Sequence, residues 1–418
     1  MGDAVISRIS LSLILIALST TSGWTQEADG PLTLQRVVDM YIAKNLELQA
    51  ANYRLERTRA DQIAARLRLN PGLTITAENL RVGGPVPFRA LYEVAASYSE
   101  TIELGGKRKL RQRVADLTVS AAEAQFDDAM RRGIADVKRL YFDALLAKYS
   151  VDIASENLQT FEQLVQFNLA RFREGAIPEA DLIKVRLERI KFDTAIKQAE
   201  LALRRASIRL QERLGEFTFS RQEIAGEMDR RLNNPDLESL TQTALLERPD
   251  IQAAERELDA ANHRLALEET RSRPDITPFV GYKRLANDNT LLFGFSMPLK
   301  VRDRNEAGIA RAQADQKTAQ SQLQLAHNRA LAEVESAYAE FETARDQVQT
   351  FQNELLNEAD ESRSIALAAY QEGATQLLPL LDAQRTRTEV RQQYFRTLFD
   401  YQISIVNLEL AIGKELQP

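Results

Sequence analysis

A long stretch without proline is the feature that most restricts the fold of this chain. From Lys107 to Gly175 there is no proline, and Gly133 is the only interior glycine. One continuous helix over this stretch is about 100 Å long at about 1.5 Å per residue, several times the diameter of a domain. A similar stretch runs from Asn305 to Glu372. We therefore expect two very long helices.

The second long helix carries a pattern typical of a coiled coil. Its apolar residues recur with spacings of three and four, at Leu331, Val334, Tyr338, Phe341, Val348 and Leu355. Arg345 and Gln352 interrupt this pattern. The helix is therefore predicted to pack along a neighbouring helix.

Each long stretch ends in the same kind of tip. A glycine, Gly175 or Gly373, can take a positive φ and end the helix, and a returning helix follows within a few residues. Pro178 suits the first turn of the first returning helix. The two tip glycines lie 198 residues apart, as do Gly215 and Gly413, which end the returning helices. Agreement at two landmarks indicates an internal repeat.

Two segments alternate with period two, as β-strands between different environments do. Leu73, Ile75 and Ala77 alternate with polar residues, and the alternation resumes from 92 to 103 after a Gly- and Pro-rich loop. A second pair of strands follows Pro274 and is separated by the turn-rich stretch 286–289. We expect about ten residues in each strand, with aromatic residues near the ends. Pro278 and Pro298 leave the register of this second hairpin open.

The order of helix, hairpin, long helix, tip and returning helix occurs twice. Thr33 is predicted to cap a helix from Leu34 to Leu69. Residues 44–51 match 247–254, and Pro71 matches Pro274, both at an offset of 203. We predict a first repeat at 26–216, a connecting segment at 217–235 that belongs to neither repeat, and a second repeat at 236–418.

The composition excludes several kinds of site. The net charge of −6 argues against nucleic acid as the main partner, because phosphate binding needs a basic face. The absence of cysteine removes thiolate catalysis and cysteine-based zinc sites, and there are only two histidines. A secreted hydrolase would have to use carboxylates alone, and Glu100 and Glu103 would face opposite sides of a strand. These counts do not by themselves exclude an enzyme, but our prediction for this chain is no enzyme activity, no cofactor and no bound metal.

Residues 1–25 have the pattern of a secretory signal peptide. Arg8 precedes the apolar run 9–18, which small and polar residues follow. The run is shorter than the roughly 20 residues that span a bilayer. A buried N-terminal helix is the alternative.

The strands raise a problem that several copies of the chain can solve. An open sheet edge cannot lie in lipid, because its N–H and C=O groups would be unpaired. Either the four strands form a small sheet in water, or several chains contribute four strands each to one barrel. The alternation with aromatic ends favours the barrel.

Basic residues follow both hairpins. They include Lys107 and Arg108 after the first hairpin and Arg302 and Arg304 after the second. These four residues are predicted to lie at the membrane rim, where lipid phosphates can bind them. A solvated helix start is the alternative. Because cations oppose the dipole at a helix start, we also expect a compensating anion.

The repeated order resembles the TolC family of outer-membrane efflux ducts over essentially the whole mature chain. The stretches 103–108 (ELGGKR) and 298–305 (PLKVRDRN) are similar to its CzcC-type, heavy-metal branch. The resemblance implies a mainly α fold of long coiled-coil hairpins with four β-strands per chain. It implies a homotrimer in the outer membrane with a 12-stranded barrel and a helical tunnel through the periplasm. Its expected partners are outer-membrane lipid, a periplasmic adaptor and an inner-membrane RND pump.

The resemblance also assigns site residues by position. The tips that face the adaptor are Gly175, Ala176, Ile177, Gly373, Ala374 and Thr375. The tunnel constriction is assigned to Asp181, Tyr370 and Asp382, and a ring of three Asp382 carboxylates could attract cations. Thr375 and Pro379 replace the Arg and Asp that complete the gating network in well-known members. Ordinary interhelix turns and a solvated acid are the alternatives.

The expected function is a passive exit duct for heavy-metal cations. A duct for drugs and other organic compounds, or for type I secretion, is the alternative. A soluble periplasmic coiled-coil scaffold is a remoter one.

Overall fold

The computed structural model describes residues 30–80, 83–85, 87, 90, 92–215, 223–232 and 235–416. The predicted signal peptide and part of the connecting segment lie outside these residues. The first half contains α1 (Leu34–Lys44), α2 (Leu46–Arg66), β1 (Gly72–Glu78), β2 (Glu93–Ser99), α3 (Lys107–Arg173) and α4 (Glu179–Arg213). The second half contains α5 (Leu237–Glu247), α6 (Pro249–Arg271), β3 (Thr277–Leu285), β4 (Asp288–Ser296), α7 (Glu306–Thr350), a π-helical segment (Phe351–Leu355), α8 (Leu356–Gln371) and α9 (Leu377–Ile412).

The single helix predicted from Leu34 to Leu69 is wrong, because the chain breaks at Asn45. Asn45 has extended backbone angles, and its side chain accepts a hydrogen bond of 2.8 Å from the N–H of Leu48. Asparagine is among the best N-cap residues, so α2 starts anew at this point. The second repeat breaks at the equivalent place, at Arg248, and Pro249 occupies the first position of α6.

The four strands form one antiparallel sheet in the order β1-β2-β3-β4. β1 and β2 have seven residues and β3 and β4 have nine, so the predicted length of about ten was too long. Ala286 and Asn287 form a two-residue turn between Leu285 and Asp288, which settles the second register. Pro278 lies just past the end of the β2–β3 ladder, whose last pair is Ser99 and Phe279, and its carbonyl still accepts a 3.2 Å hydrogen bond from the N–H of Glu100. This end position tolerates the N–H that proline lacks.

The two faces of the sheet differ in polarity. On one face large apolar side chains are strongly exposed: Leu73 (72%), Ile75 (68%), Val280 (55%), Leu291 (76%) and Phe293 (86%). The cross-strand register places Leu73, Tyr98, Val280 and Phe293 in one row on this face. The other face carries mainly threonine, serine, glycine and charged residues.

The prediction of very long helices is confirmed. α3 has 67 residues without a break, which is about 100 Å. The second limb has 45 residues in α7 and 16 in α8, joined by the π-helical segment. Among the described residues, no helix combines the length and the apolarity needed to cross a bilayer.

The coiled-coil seam of α7 differs from the predicted one in half of its positions. Val334, Phe341 and Val348 are fully buried, as expected. Leu331 is 42% exposed, and the alternate seam positions are filled by small residues, namely Ala330, Ala337 and Ala344. Alanine lets two helices approach closely, so the larger neighbours of these alanines point away. Arg345 therefore does not interrupt the seam, because Ala344 occupies that position.

The π-helical segment shifts the phase of this seam. A uniform heptad repeat would place Leu355 inside after Val348, but Leu355 is exposed. Leu356 is half-buried instead, and Ala359 and Tyr370 are buried. After this segment, the inward-facing positions therefore occur one residue later than the heptad repeat predicts.

The apolar core is divided in two. The larger cluster joins α1, α3, α7, α9 and part of the connecting segment, with Tyr141, Phe341 and Tyr401 among its members. The connecting segment is fixed by a parallel bridge between Leu32 and Ile224. The smaller cluster lies toward the tips, around Phe161 and Tyr370.

Candidate docking tips and constriction

Both tips end their long helices with the same backbone hydrogen bonds. In the first tip the N–H of Gly175 donates to the carbonyl of Phe172 (3.0 Å), and that of Ala176 donates to the carbonyl of Arg171 (2.8 Å). In the second tip Gly373 and Ala374 repeat these two bonds, at 3.1 and 2.8 Å. This is the Schellman arrangement, which needs a positive φ at the glycine. The φ angles are +74° at Gly175 and +76° at Gly373.

The returning helices begin a few residues beyond the glycines. Pro178 is the N-cap of α4 and has extended backbone angles, so it lies one position before the first turn in which it was predicted. Ile177 is half-buried, whereas Gly175 and Ala176 are exposed. In the second tip Gly373 and Ala374 are exposed and Thr375 is half-buried. The glycine–alanine pair is thus the accessible part of both tips.

Arg171 connects the two tips within one chain. Its guanidinium lies 5.5 Å from the centroids of both the Phe167 and the Tyr370 rings. It also donates a 3.3 Å hydrogen bond to the carbonyl of Tyr370, near the end of α8. Stacking on aromatic faces and a hydrogen bond to a helix-end carbonyl are both favourable for arginine. The tips are therefore held together as one unit.

Tyr370, predicted at the constriction, is only 3% exposed and lies in the smaller core cluster. Its hydroxyl donates to the side-chain oxygen of Asn168, and its ring meets Phe167 edge to face at 6.2 Å. Burial, the largest effect on this group, raises the pKa of Tyr370. The hydroxyl is thus engaged inside its own chain.

Neither predicted acid makes a hydrogen bond with this hydroxyl, although the nearby charge of Asp181 helps to raise the pKa of Tyr370 after burial, the largest effect. Asp181 is in the first turn of α4, where a carboxylate is favourable, and it pairs with Lys184 at 3.3 Å. Asp382 is exposed in a groove between α8 and α9 that Glu358 and Glu361 also line. No hydrogen bond joins Asp181, Tyr370 and Asp382 to one another in the part of the chain that the structure describes.

Asn168 and Arg171 were missed from the sequence. Asn168 is fully buried, and its amide also donates to the carbonyl of Leu164 at 2.8 Å. A polar residue on the buried face of a long helix, three residues before an arginine, was the available signal. It gave no indication of the partner, because Tyr370 lies 202 residues away.

A polar layer lies between the two core clusters. The amide of Gln384 donates to the side-chain oxygen of Asn157 at 2.9 Å, and both residues are buried. Beside them Glu156 accepts hydrogen bonds from Arg387 (3.0 Å) and Arg391. Burial opposes ionisation of Glu156, but these two arginines outweigh it and lower its pKa. The two apolar clusters are thus separated by hydrogen bonds and charges.

The prediction that Lys107 contacts lipid at the rim is wrong. Lys107 is 7% exposed, and its Nζ donates to Asp275 Oδ1 and to the carbonyl of Arg273, both at 2.7 Å. Asp275 also accepts from the N–H of Leu104 at 2.9 Å. Asp275 is therefore the compensating anion at the start of α3, and it joins the first repeat to the second.

Arg108 is also engaged within the chain. Its NH2 donates to the carbonyl of Arg66 at 2.8 Å, at the end of α2, and Arg111 donates to the carbonyls of Ala65 and Leu67. Cations are favourable at a helix C-terminus, so these side chains stabilise the end of α2. Residues of the 103–108 stretch thus hold the sheet against the helices.

The second basic group is different. Arg302 and Arg304 are both exposed, just before α7 begins. Exposure fits both lipid contact and a solvated helix start, so the rim assignment of these two arginines stays a prediction.

The comparisons with known proteins agree over most of the chain. A profile described as "outer membrane efflux protein" matches residues 37–216 and 240–414. This chain belongs to the outer membrane efflux protein family. The match spans both repeats and omits the whole connecting segment.

Individual relatives give the same result. The chain is 27% identical over 396 residues to the cobalt-zinc-cadmium resistance protein CzcC of Cupriavidus metallidurans, covering 93% of this chain and 92% of CzcC. It is 24% identical to nodulation protein T of Rhizobium leguminosarum bv. trifolii, over 96% of this chain and 89% of that protein. Its fold matches the crystal structure of CusC with a TM-score of 0.76 at 22% identity, over 91% and 92% of the two chains.

These findings confirm the resemblance to TolC-type ducts of the CzcC-like branch. Family members are passive channels of the outer membrane, so this chain is an efflux channel and not an enzyme. They are also the outer-membrane components of tripartite efflux systems, so the chain works with an adaptor and a pump. Among the described residues no group of three His, Cys, Asp or Glu side chains could hold a metal ion.

Proposed function

We propose that three copies of this chain form one duct that exports divalent heavy-metal cations delivered by an RND pump and its adaptor. Each copy contributes four strands to a 12-stranded barrel and its long helices to a tunnel wall.

The sheet carries this proposal. Within one chain β1 and β4 are edge strands, and the apolar face of the sheet exposes large residues such as Leu291 and Phe293. An apolar face of this kind is suited to lipid, but in lipid the two edges need partners. Pairing β4 of one copy with β1 of the next gives every edge a partner without any new element.

Arg302 and Arg304, which follow the second hairpin, mark the periplasmic edge of the proposed membrane-spanning region. Leu299 and Val301 are both 73% exposed, so the apolar surface continues below β4. Arg302 and Arg304 follow directly and are exposed. We place these two arginines at the level of the inner-leaflet phosphates, where cations bind favourably.

The cargo is inferred from the relatives. CzcC is named for cobalt, zinc and cadmium, and a further relative, NccC of Alcaligenes xylosoxydans xylosoxydans, is named for nickel, cobalt and cadmium. NccC is 26% identical over 78% of this chain. Asp382 adds an attraction for cations, since three copies would place three of these exposed carboxylates around one axis.

Tolerance tests decide the cargo. The gene is deleted, and growth is measured with zinc, cobalt, cadmium, copper and a panel of drugs. We expect lost metal tolerance that the wild-type gene restores, with drug tolerance unchanged. Lost drug tolerance with normal metal tolerance would support the duct for organic compounds instead.

Fractionation separates the duct from a water-soluble scaffold. The duct is expected to remain in the outer-membrane fraction after a high-salt wash and to migrate as a trimer in detergent. A monomer that is stable in buffer without detergent would contradict the proposed assembly.

The tips are proposed to dock on the adaptor through their exposed glycine–alanine pairs. Replacing Gly175 or Gly373 with phenylalanine should abolish export while trimers persist, because a large side chain occupies the contact surface. Cross-linking to the adaptor measures docking directly, and Glu179→Ala beside the first tip serves as a control. Normal export by both phenylalanine variants would remove the docking role.

A further inference from the structure

The polar face of the sheet contains one large aromatic residue among small ones. On the side of the helices, the last row that spans all four strands places Phe279 beside Gly72, Ser99 and Gly294. The next row holds Thr74, Ser97, Gly281 and Leu292. If the apolar face contacts lipid, this face lines the inside of the barrel, and Phe279 is its largest side chain among the described residues.

The Phe279 ring lies across the strand next to it. Phe279 and Gly294 are direct cross-strand partners on β3 and β4. A Cβ atom added to Gly294 would lie 2.7 Å from Cζ and 2.9 Å from Cε1 of Phe279. Distances under 3 Å are not possible for such carbon atoms, so the ring occupies the space that any other residue at 294 would fill. An aromatic ring that covers a cross-strand glycine is a known stabilising arrangement in sheets.

The orientation of this ring matters because of the number of strands. Eight-stranded barrels are filled by their side chains, whereas barrels of 16 to 18 strands leave a wide aqueous channel. A 12-stranded barrel lies between these cases, so the direction of a large inward side chain changes its free width. Three Phe279 rings lying flat leave the passage open, and three rings pointing inward narrow it.

We propose that the absence of a side chain at Gly294 lets the Phe279 ring lie flat against the inner wall, and that this pair determines the free width of the barrel. Phe279 and Gly294 are thus positioning residues for the size limit of the cargo, and the inference rests on the proposed trimeric barrel. Any side chain at 294 must displace the ring, and we expect the ring to move toward the axis of the barrel.

The experiment uses the absence of cysteine from the chain. Thr101→Cys introduces a single thiol on the same face, two residues beyond Ser99 on the side of the helices, where the hydroxyl of Thr101 lies 3.0 Å from that of Thr277. A reagent added outside intact cells must pass the Phe279 row to reach it. Labelling rates are measured with a small methanethiosulfonate and with a bulky polymer-linked maleimide. The variants are T101C alone, T101C/G294V, T101C/G294V/F279A and the control T101C/A95V, which adds bulk where no ring lies beside it.

We expect both reagents to label T101C and T101C/A95V. In T101C/G294V the bulky reagent should react about tenfold more slowly, because overpacking displaces the ring, while the small reagent is unaffected. Removing the ring in T101C/G294V/F279A should restore the rate. Trimers in detergent confirm that each variant is assembled.

Two results would overturn the inference in different ways. Equal labelling of T101C and T101C/G294V trimers by the bulky reagent would show that Phe279 does not limit the passage. If even the small reagent fails to label T101C trimers, residue 101 does not face an open lumen, and the proposed barrel itself fails.

Discussion

The two repeats break their first helix at the same place but stabilise the break with different chemistry. In the first repeat Asn45 caps α2 and donates a 2.8 Å hydrogen bond to the carbonyl of Arg213 at the end of α4. In the second repeat Arg248 is 1% exposed and binds Asp250 through two hydrogen bonds of 3.0 and 2.6 Å. Arg248 also reaches Glu333 at 2.7 Å and the carbonyl of Ala411 at 2.9 Å.

Both breaks are covered by the glycine that ends a returning helix. A Cβ on Gly215 would lie 2.8 Å from the carbonyl oxygen of Lys44, and one on Gly413 would lie 3.1 Å from Cα of Arg248. The same backbone arrangement is thus held by a neutral amide in one repeat and by a buried cation in the other. Equal architecture therefore does not imply equal sensitivity to mutation or to pH.

The largest expected effect is at the charged break. Arg248→Met should destabilise the protein by about 3–5 kcal/mol, because it removes the main partner of the part-buried Asp250, leaving it only Arg131 at 3.8 Å and the N–H of Ile251, and it removes a donor to the Ala411 carbonyl. The midpoint of denaturant unfolding of the purified protein measures this. Arg248→Lys keeps the charge but loses the two-pronged geometry, so an intermediate loss is expected. A midpoint unchanged in Arg248→Met would contradict the role of this cation.

Low pH should weaken the charged break at Arg248 and leave the neutral break at Asn45 unaffected. Burial opposes ionisation of Asp250, but its hydrogen bonds with Arg248 outweigh this and lower its pKa. Its contribution to the free energy of unfolding is therefore complete above the unfolded-state pKa of about 3.9 and is lost as the pH falls through the lower folded value. Between about pH 4 and pH 2 the wild type should lose stability more steeply than Asp250→Asn. Parallel curves for the two proteins would show that Asp250 is not responsible.

A smaller effect is expected at the neutral break. Asn45→Ala should cost about 1–2 kcal/mol, since it removes the N-cap of α2 and a hydrogen bond to Arg213. Asn45→Asp keeps the cap acceptor and loses the amide donor, so it separates the two contributions. Unfolding midpoints measured beside those of the Arg248 variants test the ranking. A cost for Asn45→Ala as large as that for Arg248→Met would mean that the shared backbone, not the side chain, sets the sensitivity.

The smallest difference is expected between the two tips. Gly175→Ala and Gly373→Ala should each cost about 1 kcal/mol, because an L-residue is strained in the left-handed region. A Cβ at Gly175 meets no atom within 4 Å, and one at Gly373 meets only Arg171 at 3.8 Å, so no clash adds to this strain. Asparagine tolerates this region better and is the control at both positions. A cost several times larger at one tip would break their equivalence.

The sequence predicted the features that depend on local pattern. The long helices follow from the absence of proline, and the four strands follow from period-two alternation. The tips follow from glycines that can take a positive φ. The structure contains all three features. The break at Asn45 was missed because the helical pattern continues on both sides of it, and its cause is the distant end of α4. Lys107 was assigned to lipid because its partner, Asp275, lies 168 residues away. The seam on α7 was half wrong because small alanines carry little signal, although the tight approach of the helices depends on them.

In the candidate site, too, local features could be predicted from the sequence and contacts between distant residues could not. The positions of the tip glycines could be predicted, since each glycine ends its own helix. The engagement of Tyr370 with Asn168 could not be predicted, because the two residues belong to different repeats. Whether Asp181 and Asp382 narrow the passage stays a prediction, because the neighbouring copies decide it.

The π-helical segment has a consequence for the tip below it. Each residue advances an α-helix by about 100°, so resuming the pattern one residue late turns every lower side chain by roughly that angle. An unshifted heptad from Val348 would point Ala369 inward and leave the neighbouring tyrosine on the flank. With the slip, Tyr370 takes the inward place and reaches Asn168. The five-residue π-helical segment, about 15 positions before Tyr370, thus determines which side chain of α8 packs inward near the second tip.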